Sequence, residues 1–382
     1  MSKACDVIVV GLGAIGSAAA FHLAQRRLRV IGIDRFAPPH ALGSSHGKSR
    51  IIREAYFEHP AYVPLVQRAY QLWAELEAQA GTRLLLKTGG LMIGHADSEL
   101  VVGARRSAEH HGLAHEMLSC AEVKRRFPCL TPEPDMIAVH EPRAGILFPE
   151  ECVRAHLALA QSLGAEIHTS EPLMSWSAGG AGVSVVTERA TYTAHWLILS
   201  AGAWTEALLA DIRPPLSVER QVQFWFDPLQ ERDSFSATRC PVHLWQFDDQ
   251  QLFYGFPDLG SGVKVARHHG GVGARPDHVE REVTDDEIAD MRGLVRRFVP
   301  SADGPMRSAA VCLYTNTPDG HFWIDQHPAH ERVLIASTCC GHGFKFAGVV
   351  GEILAASVIG QLIPFDLSLF RTRWKAMARG QA

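Results

Sequence analysis

Three glycines near the start of the chain have the spacing that binds a pyrophosphate. Gly11, Gly13 and Gly16 follow an apolar strand at residues 6–10 and begin a helix. The first glycine permits a tight turn, the second lets the backbone approach the phosphates, and the third packs the helix against the strand. Because the positive end of the helix faces the phosphates, this stretch predicts a dinucleotide site.

Two later strands end in residues that suit such a site. The apolar strand at residues 30–33 ends in Asp34, whose carboxylate can accept both hydroxyls of an adenosine ribose. An acid at this position favours FAD or NAD over NADP. The strand at residues 196–199 leads to Gly202, which suits a backbone close to a dinucleotide, although a buried strand with an ordinary turn fits nearly as well.

Residues 43–53, Gly-Ser-Ser-His-Gly-Lys-Ser-Arg-Ile-Ile-Arg, concentrate hydrogen-bond donors and two arginines. A planar guanidinium binds carboxylates and phosphates bidentately, so Arg50 and Arg53 suit a substrate carboxylate and a cofactor. A helical turn here would place both on one face; a solvated basic face is the alternative. The stretch also reads Gly-x-Ser-x-Gly around Ser45, but no buried strand precedes it, as a serine hydrolase requires.

A glycine-rich loop near the C-terminus is predicted to bind an anion. Residues 340–345, Cys-Gly-His-Gly-Phe-Lys, lie between a predicted strand and a predicted helix. Free N–H groups at Gly341 and Gly343, the positive helix end and Lys345 all attract negative charge. The anion could be the electron-rich edge of a reduced flavin or a substrate carboxylate, and an ordinary glycine-rich connection is the alternative.

Lys264 falls at an inward position of the apolar strand predicted at residues 262–266. A buried lysine is rare without a partner or a purpose. Strand alternation places His268 on the same face, where it could act as a base or as a hydrogen-bond donor. The alternative is that the lysine side chain extends to the end of the strand and reaches water.

The cysteines carry little chemical signal by themselves. Cys312 lies in an apolar stretch and is by default a small buried hydrophobic residue. Cys339, Cys340 and His342 have no second ligand pair at suitable spacing, so we predict no metal site. The eight cysteines are scattered without paired spacing, which favours a reducing compartment.

Composition excludes several classes of function. The 382 residues are enough for two domains, and 37 Lys and Arg against 41 Asp and Glu give no strongly charged surface for nucleic acid or membrane. No uninterrupted apolar run reaches the roughly 18 residues that span a bilayer. We therefore expect a soluble, cytoplasmic protein with a small-molecule partner and with neither a nucleic-acid nor a membrane partner.

The order of elements favours FAD over NAD, because the chain leaves the nucleotide-binding unit after Asp34 and returns to it later. We predict an α/β fold, α+β overall, with a discontinuous, Rossmann-like FAD-binding domain and a substrate domain built on a mixed β-sheet with helices. The predicted FAD-binding domain comprises residues 1–82, 147–215 and 313–382, and the substrate domain comprises 83–146 and 216–312.

Taken together, these residues resemble the family of monomeric sarcosine oxidase, N-methyltryptophan oxidase and pipecolate oxidase, over essentially the whole chain. The most specific matches are Ser44-Ser45-His46-Gly47 with Arg50 and Arg53, the strand pair from Tyr254-Gly-Phe-Pro257 to Lys264, Val311-Cys312-Leu-Tyr314-Thr-Asn-Thr-Pro-Asp319, and Gly341-His-Gly-Phe-Lys345.

The resemblance implies a flavoprotein in which Cys312 carries FAD through a thioether. It also implies that His46 and Arg50 lie against the flavin ring. The residues expected to bind the cofactor are Gly11, Gly13, Gly16, Asp34, Ser44, Ser45, His46, Arg50, Gly202, Cys312, Gly341, Gly343 and Lys345.

The resemblance also implies roles in catalysis and substrate binding. Lys264 would promote oxygen reduction beside the flavin, and the expected catalytic residues are Lys264, Arg50 and His268. Arg53 and Lys345 would bind the substrate carboxylate. The residues expected to bind substrate are Arg53, Tyr254, His268, Tyr314 and Lys345. Trp245, nine residues before Tyr254, would add bulk to the pocket.

The implied reaction is the flavin-dependent oxidation of a secondary amino acid, such as sarcosine, another N-methyl amino acid or pipecolate. If an N-methyl group is oxidised, the imine would hydrolyse with water to a primary amino acid and formaldehyde, and O2 would take up the electrons with release of H2O2. The amine must be neutral to react, so the rate should rise with pH. The alternatives are a D-amino-acid oxidase, an acceptor-dependent dehydrogenase and a noncatalytic dinucleotide-binding protein. We expect a monomer.

Overall fold

The computed structural model describes residues 2–180, 182–249 and 251–371. Its α-helices are α1 (Ala14–Gln25), α2 (Tyr62–Ala80), α3 (Glu99–His110), α4 (Cys120–Arg126), α5 (Pro149–Ser162), α6 (Asp285–Phe298) and α7 (Ala347–Val358).

Its strands are β1 (Ser2–Ala4), β2 (Val7–Val10), β3 (Val30–Ile33), β4 (Arg50–Ile52), β5 (Leu85–Lys87), β6 (Gly90–His95), β7 (Glu116–Ser119), β8 (Met136–Glu141), β9 (Gly145–Leu147), β10 (Glu166–His168), β11 (Leu173–Gly179), β12 (Gly182–Thr187), β13 (Thr191–Ala194), β14 (Trp196–Leu199), β15 (Ser217–Phe226), β16 (Val242–Asp248), β17 (Gln251–Phe256), β18 (Val263–His268), β19 (Val272–Gly273), β20 (Met306–Asn316), β21 (Trp323–His327) and β22 (His330–Ser337).

A six-stranded sheet carries the predicted phosphate-binding glycines. Its order is β10-β3-β2-β14-β22-β21, and all neighbours run parallel except β21 and β22. Every residue of β2 is buried: Val7 and Val9 pack into the core that contains α1, α5 and α7, whereas Ile8 and Val10 pack towards a second sheet. Burial on both faces explains why β2 is a continuous apolar run.

The second sheet, of order β1-β13-β12-β11, covers the face of the six-stranded sheet opposite the helices. On the helical face, α1 and α7 approach closely at Gly351, where an added Cβ would lie 2.6 Å from the carbonyl carbon of Ala18. The two helices therefore pack backbone against backbone beneath the glycine-rich turn, which fixes the position of the N-terminus of α1.

The largest sheet has the order β19-β15-β18-β17-β16-β6-β8-β7, with β20 also paired to β15. The described pairs are antiparallel except β16 with β6, so the sheet is mixed as predicted. Helix α6 buries Met291, Leu294, Val295 and Phe298 against it. A small sheet of order β4-β9-β5 connects the two larger ones.

The predicted α/β fold class is confirmed. The strands of the six-stranded sheet come from the three segments predicted to form the FAD-binding domain. The small sheet, however, joins strands from both sides of the predicted boundary at residue 82, and β20 continues across the predicted boundary at residue 312. The division into two domains stays a prediction. Of the helices described, none has both the length and the apolar character needed to cross a bilayer.

Candidate active site

A cavity of about 630 Å³ extends from the glycine-rich turn to a group of buried cations. Most of the residues that the sequence singles out line it: Gly11, Gly13, Asp34, Ser44, Ser45, Arg50, Arg53, Gly202, Tyr254, His268, Cys312, Tyr314, Gly341, Gly343 and Lys345. Gly16, His46 and Lys264 lie outside this lining. Their positions are described below, and the roles of all these residues stay predictions.

Gly11 and Gly16 of the turn occupy positions that no side chain fits. Gly11 has φ of 85°, and a Cβ there would lie 2.6 Å from the carbonyl oxygen of Ser200. A Cβ at Gly16 would lie 1.7 Å from the carbonyl oxygen of Gly11. Helix α1 begins at Ala14, immediately after Gly13, so its N-terminus opens into the cavity as the motif requires.

Asp34 lies at the end of β3 and is held by the backbone. Its Oδ2 accepts a hydrogen bond from the N–H of Leu12 at 2.6 Å, and its Oδ1 accepts one from the N–H of Phe36 at 2.7 Å. Burial raises the pKa of this carboxyl, and the two N–H groups oppose that shift. Asp34 is fixed in the lining, where its remaining acceptor capacity suits ribose hydroxyls.

The loop that follows carries Ser44 and Ser45 to the same end of the cavity. The hydroxyl of Ser45 accepts a hydrogen bond from the N–H of Ala14 at 3.0 Å and so satisfies a donor of the α1 N-terminus. The hydroxyl of Ser44 donates to the carbonyl of Leu313 in β20. These bonds attach the loop both to the helix and to the strand that contains Cys312.

Arg50 connects this loop to the thiol of Cys312. Its Nη2 donates to the carbonyl oxygen of Ser44 at 2.8 Å and lies 3.5 Å from Cys312 Sγ. Its Nη1 donates to the carbonyl oxygen of Ser49 at 2.9 Å. Cys312 is only 1% exposed, yet it lines the cavity. The helical turn considered for residues 50–53 is wrong, because this stretch pairs with β9 as strand β4.

Arg53 lies at the other end of the cavity and is paired with a carboxylate. Its Nη2 donates to both oxygens of Glu58, at 2.7 and 2.8 Å, and its Nη1 donates to the carbonyl oxygen of Ala55 at 3.0 Å. The guanidinium lies 4.2 Å from the ring centroid of Tyr56. Arg53 is nearly fully buried and Glu58 lines the cavity beside it.

Lys345 supplies a second buried cation at this end. Its Nζ donates to the carbonyl oxygen of His342 at 2.8 Å and to the hydroxyl of Tyr56 at 3.3 Å. Burial, and after it the charge of Arg53, lowers the pKa of Lys345 to about 7. Arg53 and Lys345 together form a concentrated positive potential in a water-poor pocket, which suits a carboxylate.

Aromatic hydroxyls and one imidazole complete the wall between these cations and Cys312. His268 Nδ1 lies 3.3 Å from the hydroxyl of Tyr314, and Tyr254 lines the cavity nearby. Burial lowers the pKa of His268 well below its usual range and raises the pKa of Tyr254 to about 12. Gly341 allows close packing here, since a Cβ would lie 2.6 Å from the rings of His268 and Tyr314.

Lys264 is buried with partners, so it does not extend to water. Its Nζ donates to the carbonyl oxygens of Gly47 and Ser49 at 2.8 and 2.9 Å. Burial lowers its pKa well below the usual lysine value. His46 is also buried, which lowers its pKa to about 4. Among the described residues its Nε2 has no hydrogen-bond partner.

Trp245 does not lie in the cavity, so the prediction that it adds bulk to the pocket is wrong. It is fully buried in the core of the largest sheet, where it stacks on Phe298 at 4.8 Å and donates from Nε1 to His243. The preceding residue, Leu244, lines the cavity instead. Adjacent strand residues point to opposite faces, and both faces of β16 are buried.

Sequence reasoning also missed Glu58, Gln223 and Asp277, which all line the cavity. Asp277 accepts hydrogen bonds from Arg35 Nη1 at 2.6 Å and from Trp204 Nε1 at 2.8 Å. No local pattern signals the contacts of Asp277, because they join segments far apart in the chain. For Glu58, the only signal in the sequence is its position five residues after Arg53.

Two groups of side chains outside the cavity have the spacing of metal ligands: Asp211 with His327 and His330, and His95 with Glu133 and Asp135. His327 Nδ1 accepts a hydrogen bond from the N–H of Ala329 at 3.2 Å, and its Nε2 lies 3.1 Å from Asp211 Oδ2. The absence of a metal site stays a prediction.

The backbone turn and the polar groups that line the cavity fit a dinucleotide. The turn at Gly11 and Gly16 has no room for side chains, and Asp34 lies one strand away in the same wall. Within the part of the chain that the structure describes, Gln223 Oε1 is buried without a partner, and its side chain lines the cavity. An unpartnered buried acceptor is costly, so a bound donor group is the expected partner.

The comparisons with known proteins agree with this geometry. The family model described as "FAD dependent oxidoreductase" matches residues 6–357. The chain is 44% identical to a monomeric sarcosine oxidase of Streptomyces avermitilis, over 99% of this chain and 100% of that protein. It is 35% identical to an N-methyl-L-tryptophan oxidase of Yersinia pestis, over 96% of this chain and 98% of that protein.

Solved structures share the fold at lower identity. NikD, an amino acid oxidase of nikkomycin biosynthesis, superposes with a TM-score of 0.85 at 23% identity, covering 97% of this chain and 98% of that one. Glycine oxidase from Geobacillus kaustophilus gives a TM-score of 0.82 at 20% identity, covering 97% and 99%. The sequence matches span nearly the full length of both partners, so the chain belongs to the family of FAD-dependent oxidoreductases that includes monomeric sarcosine oxidase and N-methyl-L-tryptophan oxidase.

Proposed function

We propose that this enzyme oxidises a secondary amino acid, either an N-methyl amino acid such as sarcosine or a cyclic one such as pipecolate, with O2 as the electron acceptor. The observation that carries the proposal is the pair of buried cations, Arg53 and Lys345, at one end of a cavity whose other end is the glycine-rich turn. The imine formed from an N-methyl substrate hydrolyses to formaldehyde and a primary amino acid. O2 is reduced by two electrons to H2O2, which is released.

FAD, when bound, supplies the two-electron acceptor for the amine. The residues that would hold it are those of the turn and the walls around it: Gly11, Gly13, Gly16, Asp34, Ser44, Ser45, His46, Arg50, Gly202, Gly341 and Gly343. The arrangement of these residues leaves Arg53, Lys345 and the aromatic wall for the substrate.

Arg53 and Lys345 bind the substrate carboxylate and so orient the amine. His268 and Tyr314 lie in the wall beside them, 3.3 Å from each other. The lowered pKa of His268 keeps its imidazole neutral, so it can accept a hydrogen bond from the amine without repelling it. Burial of the site excludes water from the reacting carbon and strengthens each of these interactions.

Lys264 acts on oxygen in this proposal. Its amino group is fixed by two backbone carbonyls, and its charge would stabilise the negative charge that develops on O2 during reduction. Neither of its bonds is to a carboxylate, so in its protonated form the amino group stays available to a small anionic species.

We infer that FAD is attached covalently through Cys312. The support is that its thiol faces the cavity beside Arg50 and is sheltered from solvent, at 1% exposure. The test is acid precipitation of the purified protein. Yellow colour that stays in the pellet, and is absent from the pellet of Cys312→Ala, supports attachment. Colour that moves to the supernatant of the wild type contradicts it.

The activity is tested by H2O2 release with sarcosine, pipecolate, N-methyltryptophan and D-alanine. Turnover of a secondary amino acid with peroxide release supports the proposal. Preference for D-alanine would make the protein a D-amino-acid oxidase. Anaerobic reduction by a secondary amine without reaction with O2 would indicate an acceptor-dependent dehydrogenase, and FAD binding without reduction by any substrate would leave a noncatalytic binding protein.

The proposal also includes a monomeric, cytoplasmic enzyme. All eight cysteines are free in the structure, which fits a reducing compartment. Light scattering after size-exclusion chromatography would measure the mass, for which a monomer gives 41.9 kDa. Cell fractionation would measure the location.

A further inference from the structure

The tight turn formed by residues 47–49 is held between a carboxylate and an ammonium group. On one side, Glu150 Oε1 accepts hydrogen bonds from the N–H groups of Gly47 at 2.7 Å and Lys48 at 3.1 Å. On the other side, Lys264 Nζ donates to the carbonyl oxygens of Gly47 and Ser49. Glu150 and Lys264 therefore bind opposite edges of one short piece of backbone.

This turn needs external support to keep its shape. Gly47 has φ of 101° and Lys48 has φ of 66°, so two successive residues are left-handed. A non-glycine residue such as Lys48 is strained in that conformation. A Cβ at Gly47 would lie 2.1 Å from Gln223 Oε1. The hydrogen bonds that Glu150 accepts from Gly47 and Lys48 offset this strain and hold both carbonyls that position Lys264.

Glu150 is well placed to keep its charge. It is the second residue of α5, where the positive end of the helix favours an anion. Burial alone would raise the pKa of this carboxyl, but hydrogen bonds from the N–H groups of Lys48, Glu150 itself and Gly47 lower it below the usual value. Glu150 is therefore an anion at any pH at which the enzyme would work.

The carboxylate of Glu150 is one of several groups whose charge affects the protonation of Lys264. The groups that act on its amino group are Arg50 of β4, His46 and Lys48 of the loop, Glu150 of α5 and the Cys312 thiol of β20, and the faces of Trp225 and Phe256 lie 5.3 and 4.8 Å away. Burial is the largest effect and disfavours the charge on Lys264, and Arg50 adds to it. Cys312 and then Glu150 oppose both, and of these two only Glu150 is a carboxylate.

We propose that Glu150 is a positioning residue for Lys264: it holds the turn that binds the Lys264 amino group, and its negative charge favours the ammonium form of that group. The role rests on the proposed function, in which charged Lys264 promotes the reaction with O2. Glu150 is not part of the cavity lining, so it does not touch the substrate; its charge also acts on Arg50 and His46, and the test must separate those effects from its effect on Lys264.

The test separates charge from geometry. Glu150→Gln keeps an oxygen that can accept the N–H groups of Gly47 and Lys48 but removes the charge, whereas Glu150→Ala removes both. Glu151→Gln is the matched control, because Glu151 is the next residue of α5 and is half exposed beside Arg154. Circular dichroism and the Tm of each variant verify folding.

Two readouts follow the charge on Lys264. The first is the pH profile of the reaction of the reduced enzyme with O2 in stopped flow, with anaerobic reduction by substrate measured separately. The second does not depend on turnover: the pH dependence of acetylation of Lys264 by acetic anhydride, quantified by mass spectrometry. In Glu150→Gln, both midpoints should move to lower pH by about one unit. Anaerobic reduction should change less than twofold, and Glu151→Gln should match the wild type.

The double variant with Lys264→Met decides whether Glu150 acts through Lys264. Glu150→Gln should slow the oxygen reaction in the wild type and add no further loss in Lys264→Met. An equal loss in both backgrounds, or unmoved midpoints in both readouts, overturns the inference. If Lys264→Met reacts with O2 as fast as the wild type, the proposed role of Lys264 fails instead, and the acetylation midpoint still decides whether Glu150 controls its charge.

Discussion

Arg53 Nη2 donates to both carboxylate oxygens of Glu58, at 2.7 and 2.8 Å, in the part of the cavity where a substrate carboxylate is expected. Glu58 therefore satisfies the same donors that the substrate would use. A second anion must either displace Glu58 from Arg53 or share the guanidinium with it, and both cost binding free energy.

We expect Glu58→Gln to bind carboxylates more tightly than the wild type. The substitution removes a negative charge beside Arg53 and preserves the side-chain volume, so the Kd of a small carboxylate without an amine should fall about tenfold, or ~1.4 kcal/mol. Calorimetric titration of the holoenzyme measures it. Glu75→Gln, which removes an exposed partner of Arg68 on α2, is the control. A higher or unchanged Kd in Glu58→Gln would mean that Glu58 orients Arg53 and does not compete with the ligand.

Lys345 should make carboxylate binding pH-dependent. Its pKa is lowered to about 7 by burial, so it is charged at pH 6 and mostly neutral at pH 8.5. Arg53 stays charged throughout. The Kd of the same carboxylate should therefore rise between pH 6 and pH 8.5, by about tenfold for the loss of one buried charge.

Lys345→Met tests that assignment, because it removes the titrating group and keeps much of the side-chain length. The Kd of Lys345→Met for this carboxylate should be higher than that of the wild type at pH 6 and should stay constant up to pH 8.5. A flat profile in the wild type, or a persistent slope in Lys345→Met, would assign the titration to another group. The amine of a true substrate titrates as well, so the amine-free carboxylate keeps the two effects apart.

Gly16→Ala should abolish FAD binding. The added methyl would lie 1.7 Å from the carbonyl oxygen of Gly11, so α1 must move away from the turn that cradles the phosphates. Absorbance of the purified protein at visible wavelengths measures bound flavin. Gly293→Ala is the control, since Gly293 lies in α6 with no heavy atom within 4 Å of its added Cβ. It should keep the flavin and gain about 0.8 kcal/mol of stability. Full flavin content in Gly16→Ala would contradict the assignment of this turn.

Local patterns predicted the elements whose signals are local. The strands at residues 30–33 and 196–199 have the predicted bounds. Helix α1 begins at Ala14, inside the glycine motif, as the spacing of Gly11, Gly13 and Gly16 predicts.

The cavity was harder to predict, because its walls come together over long separations in sequence. The residue types and motifs around Arg53, Cys312 and Lys345 indicated the chemistry of its lining. Asp277 gave no comparable signal, since it meets Arg35 across 242 positions of the chain. Glu58 lies only five residues after its partner Arg53, but no motif marks that pair. The position of Glu150 beside the turn at residues 47–49 likewise depends on where α5 begins.

The prediction that Trp245 adds bulk to the pocket is wrong for a physical reason, and that reason leads to a further prediction. Leu244 and Trp245 are 6% and 0% exposed, so alternation along β16 cannot say which of its two buried faces lines the cavity. The structure places Leu244 in the cavity wall and Trp245 against Phe298 in the core. Substrate selection should therefore depend on Leu244, and stability on Trp245.

We expect Leu244→Ala to raise kcat/KM for N-methyl amino acids with large side chains, relative to sarcosine, by about tenfold, because it removes methyl groups from the pocket wall. Trp245→Phe should leave that ratio within twofold and should lower the free energy of unfolding by about 2 kcal/mol, through a lost hydrogen bond to His243 and reduced packing on Phe298. Steady-state kinetics with a graded substrate series and urea unfolding measure the two quantities. Each variant is the control for the other, because neighbouring residues on one strand share its backbone but not its faces. A changed substrate ratio in Trp245→Phe, or an unchanged ratio in Leu244→Ala, would mean that the wall of the pocket is set from elsewhere in the sheet.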